Sequence, residues 1–71
     1  MMPDRMVGRI KVYDSVRGFG FISLEKGRDV FVNYQEFNGS TDATIVVGLM
    51  VEFRLEMGGK GPRARDVKVI G

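Results

Sequence analysis

Apolar and polar side chains alternate with a period of two through most of this chain, which is the signature of β-strands with one buried face. Over 7–13, Val7, Arg9, Lys11 and Tyr13 alternate with Gly8, Ile10 and Val12, predicting a first strand. A second is expected over 18–24, where Phe19 and Phe21 alternate with Gly18, Gly20 and Ile22. The third covers 29–33, with Phe31 and Asn33 on one side and Val30 and Val32 on the other. The fourth, over 48–57, sets Leu49, Val51, Phe53 and Leu55 against Met50, Glu52, Arg54 and Glu56, a half-buried pattern with a wet charged face. A fifth over 63–70 offers Ala64, Val67 and Val69 as inward contributors.

Turn chemistry separates these segments. Asp14-Ser15-Val16-Arg17 reads as a turn, and Glu25-Lys26-Gly27-Arg28 as a tight hairpin loop in which Gly27 supplies a positive φ. Tyr34 to Phe37 can form a helical turn, 38–42 is a loop on composition, and the glycines of 58–62 make a flexible turn. Residues 1–5 are expected to be a short disordered lead, leaving 6–71 as one domain. Five short strands without an amphipathic helix predict an all-β protein, a small barrel or sandwich. Closure into a barrel hides the edges that so small an open sheet would expose. A chain of 71 residues buries only roughly 60% of its unfolded surface, so its stability is expected to be modest. Phe37 and Phe53 are assigned to the core.

The rings of the second and third strands are another matter. If Ile22, Val30 and Val32 fill the buried side, then Phe19, Phe21 and Phe31 stand on the wet one. Exposed phenyl rings invite flat partners, and unpaired nucleic-acid bases are flat. The competing reading is ordinary core packing. Two details speak against it. The glycines at 18 and 20 let backbone approach the face opposite the rings, and cations flank them at Lys11 and Arg17.

Composition narrows the chemistry. There is no cysteine and no histidine, which removes disulfides, thiolate or imidazole metal sites, and the commonest general base. No metal site, cofactor or enzyme activity is expected, because no nucleophile–base pair is visible. No apolar run approaches the ~20 residues needed to span a bilayer, and the start has no apolar signal core, so residence in the cytoplasm is expected. The net charge of +2, from 11 basic and 9 acidic residues, is a weak electrostatic case for nucleic acid, so distribution must carry it. Arg9, Lys11 and Arg17 fall near the first aromatic segment, and Lys60, Arg63, Arg65 and Lys68 near the C-terminus; Arg5 and Lys68 read as simply solvated. Gly18-Phe19-Gly20 is no dinucleotide fingerprint, because Ser23 takes the third glycine position. Lys60 is no phosphate-loop lysine, since Pro62 follows in place of a Ser/Thr. Asn38-Gly39-Ser40 fits a glycosylation sequon but reads better as a turn.

Taken in order, the motifs resemble the bacterial cold-shock protein family from about Val7 to Val69. Gly18-Phe19-Gly20-Phe21-Ile22 is similar to its first motif, with Arg17 in place of the usual Lys; Asp29-Val30-Phe31-Val32 is similar to the second and Lys60-Gly61-Pro62 to a third. The resemblance implies a single cold-shock domain on a small five-stranded antiparallel OB-type β-barrel. It also implies binding of single-stranded RNA or single-stranded DNA, as an RNA chaperone or a regulator of transcription and translation. By the resemblance, Lys11, Tyr13, Phe19, Phe21, Phe31, Asn33, Tyr34 and Lys60 fall on the binding surface. Asp29 lies near it as an acceptor for a base edge, and Arg17 adds a phosphate contact beside Lys11 and Lys60. Three positions depart from the family pattern: Val12 stands where Trp is expected, Asn33 replaces His, and the loop around Asp42 lacks an aromatic. These departures are expected to affect affinity more than function.

A protein-interaction module, or a ribosome- or polymerase-associated OB-type factor, would use a similar barrel and the same rings. A monomer is expected, with a dimer left open.

Overall fold

The computed structural model describes residues 5–38 and 45–71. Five strands, β1 (Arg5–Asp14), β2 (Phe19–Ser23), β3 (Val30–Asn33), β4 (Met50–Gly58) and β5 (Gly61–Val69), close into a barrel in the order β1-β2-β3-β5-β4. A 3₁₀ turn over Tyr34–Glu36 follows β3, where a helical turn is expected, and Asn33 caps it by accepting the Gln35 N–H. Four seams are antiparallel and the closing one, β3 against β5, is parallel. A ring of five strands cannot alternate direction at every seam, so one parallel seam is unavoidable. No helix among the described residues is long and apolar enough to cross a membrane.

β1 serves two neighbours in succession. Its first half, Arg5 to Arg9, pairs with β4, and its second half, up to Asp14, pairs with β2. Between the β2 partners Ile10 and Val12 the register shifts, so Lys11 is an extra residue that bends the strand from one sheet edge to the next. The same bulge reverses the phase of alternation. Ile10 points inward, whereas Val12 pairs with the outward Phe21 and is 48% exposed. Val12 therefore leaves the face that simple alternation shares between it and Ile10.

The core is built from Ile10, Ile22, Val30, Val32, Phe37, Ile45, Val51, Phe53, Ala64 and Val67. Ile22, Val30 and Val32 are thus the buried side of the β2–β3 pair, as expected, and Phe37 and Phe53 are core residues. Val69 is a correction: at the barrel's end it remains 38% exposed. β5 carries its own irregularity, opposite the register shift between Glu52 and Arg54 of β4. There Asp66 adopts a left-handed φ of 54°, and this brings Ala64 and Val67 to the same interior although they are three apart. Asp tolerates that conformation better than most residues. Its surroundings hold it: the Glu36 carboxylate accepts the Asp66 N–H at 3.1 Å and Arg5 donates to the Asp66 carbonyl at 3.0 Å.

Arg5 is accordingly a correction too. It begins β1 and reaches Asp66 at 3.0 Å and Glu52 at 3.6 Å, so it belongs to the barrel wall and not to a solvated lead. The rest of the expected lead, residues 1–4, lies outside the described residues, as do 39–42 of the expected loop. Gly27 has φ 100°, the positive value its hairpin requires. Gly20 is required by space: a Cβ there would lie 2.3 Å from the Val12 carbonyl oxygen and 2.9 Å from Tyr13 Cα, so any other residue pushes β1 away.

Candidate nucleic-acid interface

Directly paired residues on neighbouring strands share a face of the sheet. Val12 pairs with Phe21, Phe21 with Phe31, and Phe31 with Arg63, giving one row across β1, β2, β3 and β5. A second, shorter row runs Asp14, Phe19, Asn33. Both rows are on the outside, since their neighbours Ile22, Val30 and Val32 fill the core. Phe31 touches both of the other rings. Phe21 meets Phe31 edge-on at 5.7 Å between centroids, and Phe19 lies tilted against Phe31 at 5.8 Å. All three are half-buried, so their packing fixes their positions while one surface stays open. Such mutual edge and offset contacts are worth about 0.5–1.5 kcal/mol each and hold the rings without hiding them.

A groove of about 750 Å³ lies over one end of this face, lined by Phe21, Phe31, Asn33, Arg63 and the β4–β5 turn of Gly58 to Pro62. Lys60 is at the exposed tip of that turn. A smaller hollow of about 440 Å³ between β1, β4 and the end of β2 has no aromatic lining, so it offers no stacking surface.

The remaining residues expected at the site divide into those that join the face and those that do not. Lys11 and Asp29 come together as an exposed ion pair at 2.9 Å. Each is the other's partner in the free protein, and a ligand phosphate or base edge has to exchange for it; exposed pairs of this kind are worth little, about 0–1 kcal/mol. Arg17 is 74% exposed on the β1–β2 turn, within 3.8 Å of Asp14, whose carboxylate also accepts the Val16 and Arg17 N–H groups. Asn33 spends its side-chain oxygen on the Gln35 N–H at 3.0 Å and keeps its amide NH₂ for other contacts. Tyr34 is exposed just past β3, tied by its N–H to the Gly18 carbonyl.

Tyr13 is not brought to the rings. It pairs with Gly20, so its side chain is on the opposite face of the β1–β2 pair, and its ring packs edge-on against Phe37 at 6.2 Å. The cause is the Lys11 bulge, which exchanges the faces of Val12 and Tyr13. The Asp42 departure lies outside the described residues.

Sequence reasoning missed Arg63. Its guanidinium sits over the Phe31 ring at 5.3 Å. Only the parallel β3–β5 seam brings them together, and nothing local in either segment signals it.

Charges form a network next to Arg63, which pairs with Glu56 across β4–β5. Arg65 bridges Glu36 and Glu56 at 2.8 Å each. The backbone N–H of Asp66, followed by Arg65 and then by the charge of Arg63, holds the Glu36 carboxyl below its ordinary range, and Glu56 and Glu36 raise Arg65. No cluster of metal-ligating side chains exists among the described residues.

The family model described as 'Cold-shock' DNA-binding domain matches residues 6–70. The chain is 42% identical to a cold shock-like protein of Thermotoga maritima over 65 residues, 92% of this chain and 98% of that protein. It is 43% identical to cold shock-like protein CspB of Yersinia pestis over 67 residues, 93% and 96% of the two chains. Among solved structures, Drosophila Unr CSD456 superposes with a TM-score of 0.77 at 25% identity. The match covers 94% of this chain and 27% of that one.

Proposed function

The chain belongs to the cold-shock domain family, and from that premise we propose that it binds single-stranded RNA or DNA by stacking unpaired bases on Phe19, Phe21 and Phe31. The observation that carries this is the outward row of touching rings beside a groove edged by Lys60. Stacking on an aromatic ring is worth about 1–3 kcal/mol per base and accepts any base, which suits a binder of broad range. Asn33 offers its NH₂ to base acceptors, and Tyr34 adds a ring at the margin. Tyr13 supports the platform from behind and does not itself stack bases.

Lys11, Arg17 and Lys60 contact phosphates, each contributing roughly −0.7 to the slope of log affinity against log salt; Lys11 contributes less, since it must first leave Asp29. Duplexes bury their base faces and bind poorly. Holding single strands without chemistry draws RNA out of hairpins by mass action, with no ATP involved, and this is the basis of an RNA-chaperone or transcription- and translation-regulating role in the cytoplasm. Residues 5–71 are the working domain, with Arg5 part of its wall, acting as a monomer and not as an enzyme. The test is a titration of a short pyrimidine-rich strand, as DNA and as RNA, against its matched duplex at two ionic strengths. Single strands bind with a salt-dependent affinity and the duplex weakly. Equal affinity for the duplex, or binding without salt dependence, rejects the reading.

A further inference from the structure

The outer row runs through Arg63, to which the stacking mechanism gives no task, and on to Glu56 of β4, whose carboxylate is taken by Arg65 at 2.8 Å. Arg63 adjoins Phe31 across the parallel seam, with its Cζ 5.3 Å from the ring centroid. A guanidinium held over a phenyl face is fixed by cation–π attraction instead of moving freely in water. Its Nε is buried and has no hydrogen-bond partner among the described residues. Arg65, two residues on, differs sharply: it holds two carboxylates at 2.8 Å. No ion pair or side-chain hydrogen bond engages Arg63 among the described residues, so beyond the buried Nε its two Nη groups remain available to a partner that arrives from outside. The groove of Phe21, Phe31, Asn33 and Lys60 is where that partner would lie.

We propose that Arg63 reads base identity, taking the edge of an unpaired base that presents two adjacent acceptors: guanine through O6 and N7, or cytosine through O2 and N3. The inference rests on the single-strand-binding function proposed above. Arginine offers donors only, in a planar fork. Guanine and, when unpaired, cytosine each place two acceptors side by side for such a fork. Thymine and uracil separate their two carbonyls by an N–H, and adenine sets an amino group beside its ring acceptors. Neither satisfies two parallel donors. A phosphate could also attract Arg63, but that contact would be blind to sequence.

The experiment measures anisotropy of labelled thymidine heptamers carrying one guanine, cytosine or adenine at each successive position, against the full chain. The best-placed guanine or cytosine strand is expected to bind about tenfold tighter than all-thymidine, with no gain for adenine. Arg63→Lys keeps the charge but not the fork, and Arg63→Met keeps the stem over Phe31 without donors. Both are expected to erase the gain, with thermal melts confirming that at least one is folded. Three results overturn the proposal: a gain that survives in the folded variant, an equal gain for adenine (which is stacking), or an equal loss on every strand with a shallower salt slope (which is a phosphate contact). Failure of the underlying function would look different, because then no strand, all-thymidine included, would bind.

Discussion

Phe31 is the ring on which the platform turns, and replacing it separates a binding surface from a core most cleanly. It touches Phe21 at 5.7 Å, Phe19 at 5.8 Å and the Arg63 guanidinium at 5.3 Å. Its removal therefore takes away a stacking face and also unseats both neighbours, placing the loss in the upper part of the stacking range. About 2–3 kcal/mol is expected, or roughly a 30- to 150-fold weaker complex. The fold suffers less. Two ring pairs at about 0.5–1.5 kcal/mol each are lost, while a fully buried phenyl such as Phe53, at 0% exposure, costs about 3–5 kcal/mol on truncation. Phe31→Leu sharpens the distinction, because it refills most of the volume and keeps no π-face, at a stability cost of under about 1.5 kcal/mol. The assay pairs anisotropy of a labelled thymidine strand, at low temperature, with a thermal melt by circular dichroism. Phe31→Leu should melt close to the parent and bind far more weakly. Parent-like binding by the leucine variant would refute the stacking argument, and so would a melt as damaged as that of Phe53→Ala.

Other substitutions probe separate parts of the account. Val12→Trp adds a ring at the exposed end of the row, opposite Phe21, and should tighten oligothymidine binding by about 1 kcal/mol or more; an unchanged titration would place position 12 off the ligand's path. Gly20→Ala sets a Cβ 2.3 Å from the Val12 carbonyl oxygen and should cost at least about 1–3 kcal/mol in urea unfolding, with a neutral result arguing against the close β1–β2 approach. Glu36 has its folded pKa depressed, first by the Asp66 N–H and then by Arg65. Its contribution is full above the ordinary carboxylate pKa and drains away as pH falls through that range toward the lower folded value. Glu36→Gln should therefore be less stable at pH 7, with the two stability curves converging in acid; parallel curves would mean that Glu36 is not the acid-sensitive group.

The parts of this protein that are legible in its sequence are the local ones. Alternation in 29–33 and 48–57 places Val30, Val32, Val51 and Phe53 inside, and the same rule puts Phe19, Phe21 and Phe31 outside. Alternation fails where a strand gains a residue. The bulge at Lys11 turns Tyr13 to the barrel's inner side and Val12 to the outer one, and no turn residue announces it. The bulge at Asp66 is silent in the same way, because a left-handed Asp looks like any charged strand residue until Glu36 and Arg5 are seen to hold it. Contacts across the β3–β5 seam, Arg63 over Phe31 above all, join segments about thirty positions apart and depend on how the barrel closes. Arg5 is hidden for a related reason: its partners Glu52 and Asp66 are distant in the chain, so locally it is indistinguishable from a solvated charge.

The most direct test of the outer face as the ligand's seat is a chemical-shift map of the ¹⁵N-labelled protein during titration with a thymidine heptamer. Perturbations should concentrate on Phe19, Phe21, Phe31, Asn33, Lys60 and Arg63, leaving the Arg5–Glu52–Asp66 side unmoved. A footprint centred on that group, with the rings silent, would contradict the account.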